Sequence, residues 1–283
     1  MRIDSHHHLW DLSVRPQDWM VGDGMQPVRR NFDVNDLRAA IAGTGIEKTI
    51  LVHATTTHEE TFELLELAAN DSTIVGVVGW LQIDSPESVA QCEKYLQAPG
   101  GHLLKGIRDV AQDLPDSGYL AKPQSITTVR ELGKMGLRYD ILTKTPELQA
   151  AIDLVRACPD VQFILDHISK PYIAKEEVEP WKTLISELAS FENVSCKISG
   201  MVTEAKWNNW TVQNFAPYVD HIIESFTPKR LMFGSDWPVA LLAASSYGAV
   251  VSLAESLTSA FSESENDLFW RANAIEKYKI TKL

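Results

Sequence analysis

"VQFILDHISKP", residues 161–171, carries an apolar run into Asp166 and His167, and Lys170-Pro171 then turns the chain. Strands buried on both faces read as near-continuous hydrophobic runs, and such strands belong to parallel sheets. The same texture recurs in "TILVHA" (49–54) and "TIVGVVGWL" (73–81). Working outward in both directions, the candidate strands are 2–6, 49–54, 73–81, 103–107, 137–141, 161–166, 194–198 and 230–234. Amphipathic stretches separate them. Alternating strand and helix of this kind predicts an α/β fold, a (β/α)8 barrel (TIM barrel), with an open doubly wound sheet as the competitor. No glycine-rich phosphate loop follows the first strand, which disfavours a nucleotide-binding open sheet.

The helical stretches carry their own signals. "EETFELLELAA" (59–69) places Phe62, Leu65 and Ala69 near one face. "SPESVAQCEKYL" (85–96) predicts Ser85 as N-cap, Pro86 at the first helical position and Glu87 in the first turn. "TPELQAAIDLVRAC" (145–158) repeats the pattern with Thr145, Pro146 and Glu147. "PYVDHIIESF" (217–226) and "FSESENDLFWRANAIEKY" (261–278) complete the set. No strong composition break divides the chain, so residues 1–283 are expected to form a single domain. Two connections are long, about 11–33 and 109–125, and long loops in compact domains often serve as lids or binding loops.

Composition excludes several functions. The chain is 45% hydrophobic and 23% charged, as soluble globular proteins are. Its formal charge of −12 argues against a general affinity for nucleic acid or anionic membrane. There is no signal-peptide pattern and no apolar run of spanning length. Cys92, Cys158 and Cys196 are odd in number and far apart, which predicts neither a disulfide framework nor a cysteine-rich zinc site. A cytoplasmic setting is expected.

In a barrel the chemistry sits at the C-terminal ends of the strands. The first strand ends in "IDSHHHLWDL" (3–12). Side-chain alternation predicts that Asp4, His6 and His8 share one side while His7 points the other way. The bland reading is a purification tag, but the run is short and is joined to a strand-like "MRID". Strand six ends in Asp166 and His167, and strand eight in "RLMFGSDWPV" (230–239), with Asp236 after a glycine and a serine. A lone histidine or loop aspartate is usually structural; the strand-end position raises both as candidates. Strand four gives "LLKGIRDV", where Gly106 allows close approach and Arg108 can orient a carbonyl, carboxylate or hydroxyl. The bland alternative for Arg108 is an ion pair with Asp109 or Asp113. His53 at the end of strand two is a pocket candidate or a satisfied core histidine, and His58 is expected on the solvent side of a helix. Lys197 and Glu204 have no assigned role. Trp10, Trp19, Trp80 and Trp237 lie near strand ends or in the first long loop, where an aromatic wall would suit a sugar-like ring.

Together "IDSHHHLWDL", "GVVGWLQI", "KGIRDV", "FILDHISKP", "CKISGMVTEA" and "FGSDWPV" resemble the amidohydrolase superfamily. The specific likeness is to its amidohydrolase-2 branch, which contains sugar-lactone hydrolases of the L-fuconolactonase and L-rhamnonolactonase type. The motifs occur in family order across the whole chain. The resemblance implies a distorted barrel and a lactonase, a carboxylic ester hydrolase of carbohydrate metabolism. His6, His8, His167 and Asp236 match metal or catalytic positions, with Asp236 and His167 as the catalytic pair. Arg108 matches a substrate-binding position, and Trp10, Trp237 and His53 are further substrate-side candidates. Lys105 is the only lysine on strand four near enough to bridge two metals, and alternation places it opposite Arg108. One divalent ion is therefore expected, zinc by ligand type, with metal-independent action as the alternative. The implied partner is a small sugar lactone; the oligomeric state is left open. Rival readings are a decarboxylase of an aromatic or muconate-like acid and a non-catalytic binding barrel.

Overall fold

The computed structural model describes residues 1–207 and 209–281. Eight parallel strands stand in sequence order: β1 (Arg2–His7), β2 (Ile46–Val52), β3 (Ile74–Trp80), β4 (Leu104–Val110), β5 (Arg138–Leu142), β6 (Phe163–Leu165), β7 (Val194–Ile198) and β8 (Leu231–Phe233). One helix follows each strand: α1 (Val34–Ile41), α2 (His58–Asn70), α3 (Ser88–Gln97), α4 (Pro123–Lys134), α5 (Leu148–Ala157), α6 (Trp181–Ala189), α7 (Val212–Phe226) and α8 (Tyr247–Leu257). Two short helices close the chain, α9 (Glu263–Asp267) and α10 (Asn273–Lys277). This is the (β/α)8 barrel that the strand spacing predicts. No helix among the described residues is long and apolar enough to cross a membrane.

The hydrophobic residues divide into two layers. The larger one lies between the strands and the helices and takes in residues such as Leu51, Val77, Ile107, Leu165 and Phe233. The smaller one fills the barrel with Ile3, Ile50, Val52, Val78, Ile164 and Met232, joined by Tyr278 and Ile280 from the C-terminal segment. That segment closes the end of the barrel where the strands begin. Asn273 donates to the carbonyls of Pro228 and Leu231, and Arg138, the first residue of β5, donates to the Lys277 carbonyl.

The seam between β8 and β1 lies at the end where the strands finish. The His8 amide donates to the Trp237 carbonyl at 2.7 Å and the Asp236 amide to the His6 carbonyl at 2.8 Å. The first and last strands are thus tied together by the residues that carry the candidate site.

Helix starts differ from expectation. α3 begins at Ser88, because residues 85–88 form a turn in which Ser88 donates its hydroxyl to the Gln82 carbonyl. Thr145–Glu147 form a 3-10 turn ahead of α5; Glu147 accepts from the Lys144 amide, and the Thr145 hydroxyl has no partner. α7 starts five residues before Pro217 and carries that proline within it. The stretch 261–278 is not one helix: a π turn over Leu268–Ala272 separates α9 from α10.

Candidate active site

A β-bulge in β1 sets the site. The pairing with β2 slips between Asp4 and His7. A bulge adds a residue and re-aims the side chains beyond it. Strict alternation therefore fails for Asp4. Its carboxylate turns away from the barrel interior and accepts from Ser235 Oγ (2.6 Å), the Ser235 amide (2.9 Å), the His6 amide (3.0 Å) and Tyr247 of α8 (2.9 Å). Ile3 takes the interior position instead. His6 and His8 do share one target, with Nε2 atoms 3.3 Å apart, while His7 points elsewhere, to the Thr49 hydroxyl at 2.9 Å.

Asp4 also holds the opposite wall. Through Ser235 it fixes the turn that carries Asp236, whose φ of +56° lies in the left-handed region. Aspartate tolerates that conformation better than most residues. Asp236 Oδ1 stands 3.3 Å from His8 Nε2, 3.8 Å from His167 Nε2 and 3.9 Å from His6 Nε2. Three imidazoles and one carboxylate thus converge.

His167 arrives by an unusual route. Residues 167–170 have φ values of +54°, +48°, +59° and +43°, four consecutive non-glycine residues in left-handed geometry. Each costs on the order of 1 kcal/mol, so the surroundings must enforce the turn. Trp181 donates to the Ile168 carbonyl at 2.7 Å, Ser169 and Thr143 hydroxyls bond at 2.7 Å, and His167 Nδ1 meets Ser199 Oγ at 2.9 Å. Gly200, at φ +58°, backs the ring: a Cβ there would stand 2.4 Å from His167 Nδ1.

Beneath the histidines lies a buried charge array. Arg108 of β4 donates from Nη1 to Asp166 Oδ2 (3.1 Å), from Nη2 to the His53 carbonyl (2.6 Å) and from Nε to His53 Nε2 (3.1 Å). Nη1 also lies 3.3 Å from His6 Nε2. Three of the five guanidinium N–H groups are donated in these bonds; of the other two, one faces His6 Nε2 and one is left for a ligand. Asp109 and Asp113 are not its partners: Asp109 accepts from Trp80, Tyr119 and the Ile83 amide, and Asp113 pairs with Lys144. Lys197 of β7 reaches Asp140 Oδ2 at 2.7 Å, Asp166 Oδ1 at 2.9 Å and His6 Nδ1 at 3.2 Å. Two cations thus offset two carboxylates inside the barrel.

Burial and this array set the protonation states. Burial holds His6, His53 and His167 well below the usual imidazole range. For His53 the Arg108 charge adds to the effect; its Nδ1 donates to the Thr55 carbonyl, so its Nε2 accepts from Arg108. Burial raises Asp236, but His167 and His8 outweigh it and draw the carboxyl below its ordinary value. Asp166 behaves alike: burial is outweighed by Lys197, His6 and Arg108, and the group lies well below the ordinary carboxylate range. Both are ionised at neutral pH.

The donor set fits one metal ion. His8 Nδ1 lies 2.8 Å from the Val52 carbonyl oxygen and must carry the proton, so Nε2 presents a lone pair. That lone pair faces a carboxylate oxygen at 3.3 Å, an arrangement that calls for a cation or a proton between them. Tetrahedral zinc at about 2.0–2.1 Å from its ligands separates them by roughly 3.3 Å; His8 stands at that spacing from Asp236 and His6, while His167 and His6 are wider from Asp236, at 3.8 and 3.9 Å. Ligand atoms of His6, His167 and Asp236 all lie within 4.8 Å of one another. Lys105 turns outward and donates to the His102 carbonyl, so it offers no bridge to a second ion.

The converging groups floor a pocket of about 420 Å³. Its walls come from both long loops: Arg15, Asp18 and Trp19 from the first, Gln112 from the second, with Thr55–Thr57 and Lys170 between. His8, Arg108, His167 and Asp236 border it. Trp10 and Trp237 stand behind it with Phe32 between them, and Trp10 meets the edge of Trp19 at 5.8 Å. His53 lies under Arg108, and His58 is half-buried against Tyr95. Sequence reasoning missed Asp140, Asp166 and the wall residues Arg15, Gln112 and Lys170. A charged residue within an otherwise apolar strand, as in "RYDIL" and "VSCKI", is the signal that could have found the buried pair.

The amidohydrolase family model matches residues 3–280. The chain belongs to that family. This amidohydrolase is 33% identical to an L-fucono-1,5-lactonase from Burkholderia ambifaria over 88% of its own length and 84% of the relative's. It is 32% identical to an L-fucono-1,5-lactonase from Burkholderia multivorans, over 99% and 96%. A crystal structure of a Burkholderia multivorans amidohydrolase with bound zinc superposes with a TM-score of 0.92 at 32% identity, covering 99% of both chains.

Proposed function

We propose that this amidohydrolase opens a sugar lactone of the L-fuconolactone or L-rhamnonolactone type. The observation that carries the reading is the convergence of His8, His167 and Asp236 on the floor of a pocket of sugar size, with His6 buried directly beneath them. The lactonase names of relatives about a third identical support it. The walls suit a polyhydroxylated ring. Trp19 lines the pocket with its indole N–H already donated to Gln17. Gln112 Oε1 has no hydrogen-bond partner among the described residues, and Lys170 borders the same space. An aromatic face and uncommitted polar groups are what a sugar requires.

In the mechanism Asp236 takes a proton from the attacking water as its oxygen bonds to the lactone carbonyl carbon. When the C–O bond to the ring oxygen breaks, Asp236 returns that proton to the departing alkoxide. Its low proton affinity keeps it ionised before attack, and the alkoxide is a far stronger base. His6 and His167 face the carbonyl oxygen, where negative charge develops, while His8, with its lone pair at Nε2, serves as a ligand or accepts a proton. The free N–H of Arg108 orients the substrate. His6, His8, His167 and Asp236 would hold a single divalent ion, zinc by ligand type, which when bound supplies Lewis-acid polarisation of the carbonyl.

A pH-indicator assay with a panel of aldonolactones, run beside aromatic carboxylic acids, tests the reading. Lactone opening with no loss of carbon dioxide from the acids is the expected result. Decarboxylation without lactone opening, or binding without turnover, would overturn it.

A further inference from the structure

We propose that Tyr278, in the C-terminal segment, is a positioning residue for His6, acting through Asp140 and Lys197. The inference rests on the reading of His6 as part of the catalytic cluster. Tyr278 lies at the end of the barrel opposite the pocket, and the mechanism above does not use it. Its hydroxyl donates to Asp140 Oδ2. The same oxygen accepts from Lys197, whose ammonium also faces Asp166 and His6 Nδ1. Tyr278, Asp140, Lys197, Asp166 and His6 are all fully buried. An unbroken line of polar contacts therefore runs from the C-terminal segment to the imidazole buried just beneath the pocket floor.

The line is built so that each member has few substitutes. Among the described residues Asp140 Oδ1 has no hydrogen-bond partner, and Tyr278 and Lys197 hold the other oxygen. Gly106 leaves little room beside it: a Cβ there would come within 3.2 Å of Asp140 Oδ1 and crowd it. The Lys197 ammonium is placed by two carboxylates that draw it in different directions. If Tyr278 no longer donates, Asp140 is left with Lys197 alone and draws it from Asp166 and His6. The His6 ring is oriented by what stands at Nδ1, Lys197 at 3.2 Å and Asp166 Oδ1 at 3.3 Å, and Lys197 also sets where that Asp166 oxygen sits; Nε2 faces His8 and Asp236. Groups that orient a ligand or catalytic histidine in this way typically change affinity or activity by 10- to 100-fold when removed.

Tyr278→Phe isolates the hydroxyl, since the ring packs among Ile3, Ile164 and Met232 and is retained. Turnover and imidazole spectra are measured together. The expected result is a fall in kcat of about tenfold with KM within about twofold, and a changed His6 imidazole signal in 15N-histidine spectra while that of His221, on α7 against Ser186 of α6 outside the barrel, stays fixed. Asp140→Asn is expected to move the same His6 signal, and the double variant to add little. An unmoved His6 signal with unchanged kcat overturns the proposal. So does a melting temperature that drops while kcat per folded molecule is preserved, the pattern of a purely structural hydroxyl. The spectra need no substrate. If the wild type opened no lactone, the lactonase reading would fail while the coupling of Tyr278 to His6 would still be tested.

Discussion

Asp236→Asn removes the proposed base with little change in shape. Asparagine adopts positive φ as readily as aspartate, so the +56° backbone at 236 is kept. The flanking bonds, from the Asp236 amide to His6 and from the Ala240 amide to the Asp236 carbonyl, both 2.8 Å, are main-chain and survive. What is lost is one negative charge that faces three imidazoles at 3.3–3.9 Å. A positioned general base contributes about 10²–10⁴-fold, or roughly 3–5 kcal/mol in the barrier. The melting temperature is expected to move by no more than about 3 °C, the equivalent of 1 kcal/mol in a chain of this size. Turnover is followed with a pH indicator after subtraction of spontaneous lactone opening, and metal content is measured on each sample so that loss of an ion is separated from loss of the base. Turnover within tenfold of the wild type at equal metal content would refute the assignment.

Gly200→Ala places a Cβ 2.4 Å from His167 Nδ1 on a left-handed backbone; a loss of at least about 1–2 kcal/mol of stability and a large loss of kcat are expected, read by denaturant melts and turnover. Stability of metal-free protein is expected to fall as pH drops from 6.5 toward 4. His6, His53 and His167 lie well below the usual imidazole range and His7 is pushed down to about 3, all by burial, so unfolding lets four groups bind protons below their unfolded value. Burial raises Asp4 and Asp140 to about 6, so these two bind protons in the folded state and oppose the trend. Four less two leaves about two protons, up to roughly 2.7 kcal/mol per pH unit, trimmed by smaller upward shifts at Glu60, Asp109 and Glu204; a melting temperature that stays level or rises would contradict the burial argument. Adding zinc to chelated protein is expected to raise the melting temperature, and His8→Ala to reduce that gain, as calorimetric scans would show. Trp19→Ala is expected to raise KM several-fold more than it lowers kcat, because the indole forms a wall of the pocket away from the reacting carbon; an equal fall in kcat would place Trp19 nearer the chemistry.

The strands are legible in the sequence because burial on both faces demands runs such as "VQFILD", and their polar ends stand out against them. His6, His8, His167 and Asp236 could be found this way, since each interrupts or follows an apolar run. Asp4 was misplaced because a bulge obeys local pairing, which alternation cannot see. Asp140 goes unassigned in the sequence, and Lys197 is noticed there without a partner, for another reason. Each lies in the middle of a strand 57 residues from the other, and the partner that makes its charge tolerable is supplied only by barrel closure. Helix starts were misread where a proline turn competed with the cap, as at Ser85 and Thr145.

The seam between β8 and β1 has a consequence for the order of synthesis. His6 and His8 leave the ribosome first, and the turn bearing Asp236 follows more than two hundred residues later. A nascent chain stopped short of β8 has the imidazoles without their carboxylate. On the proposed mechanism such a chain lacks its base, and the carboxylate joins the imidazoles only once the last strand lies beside the first.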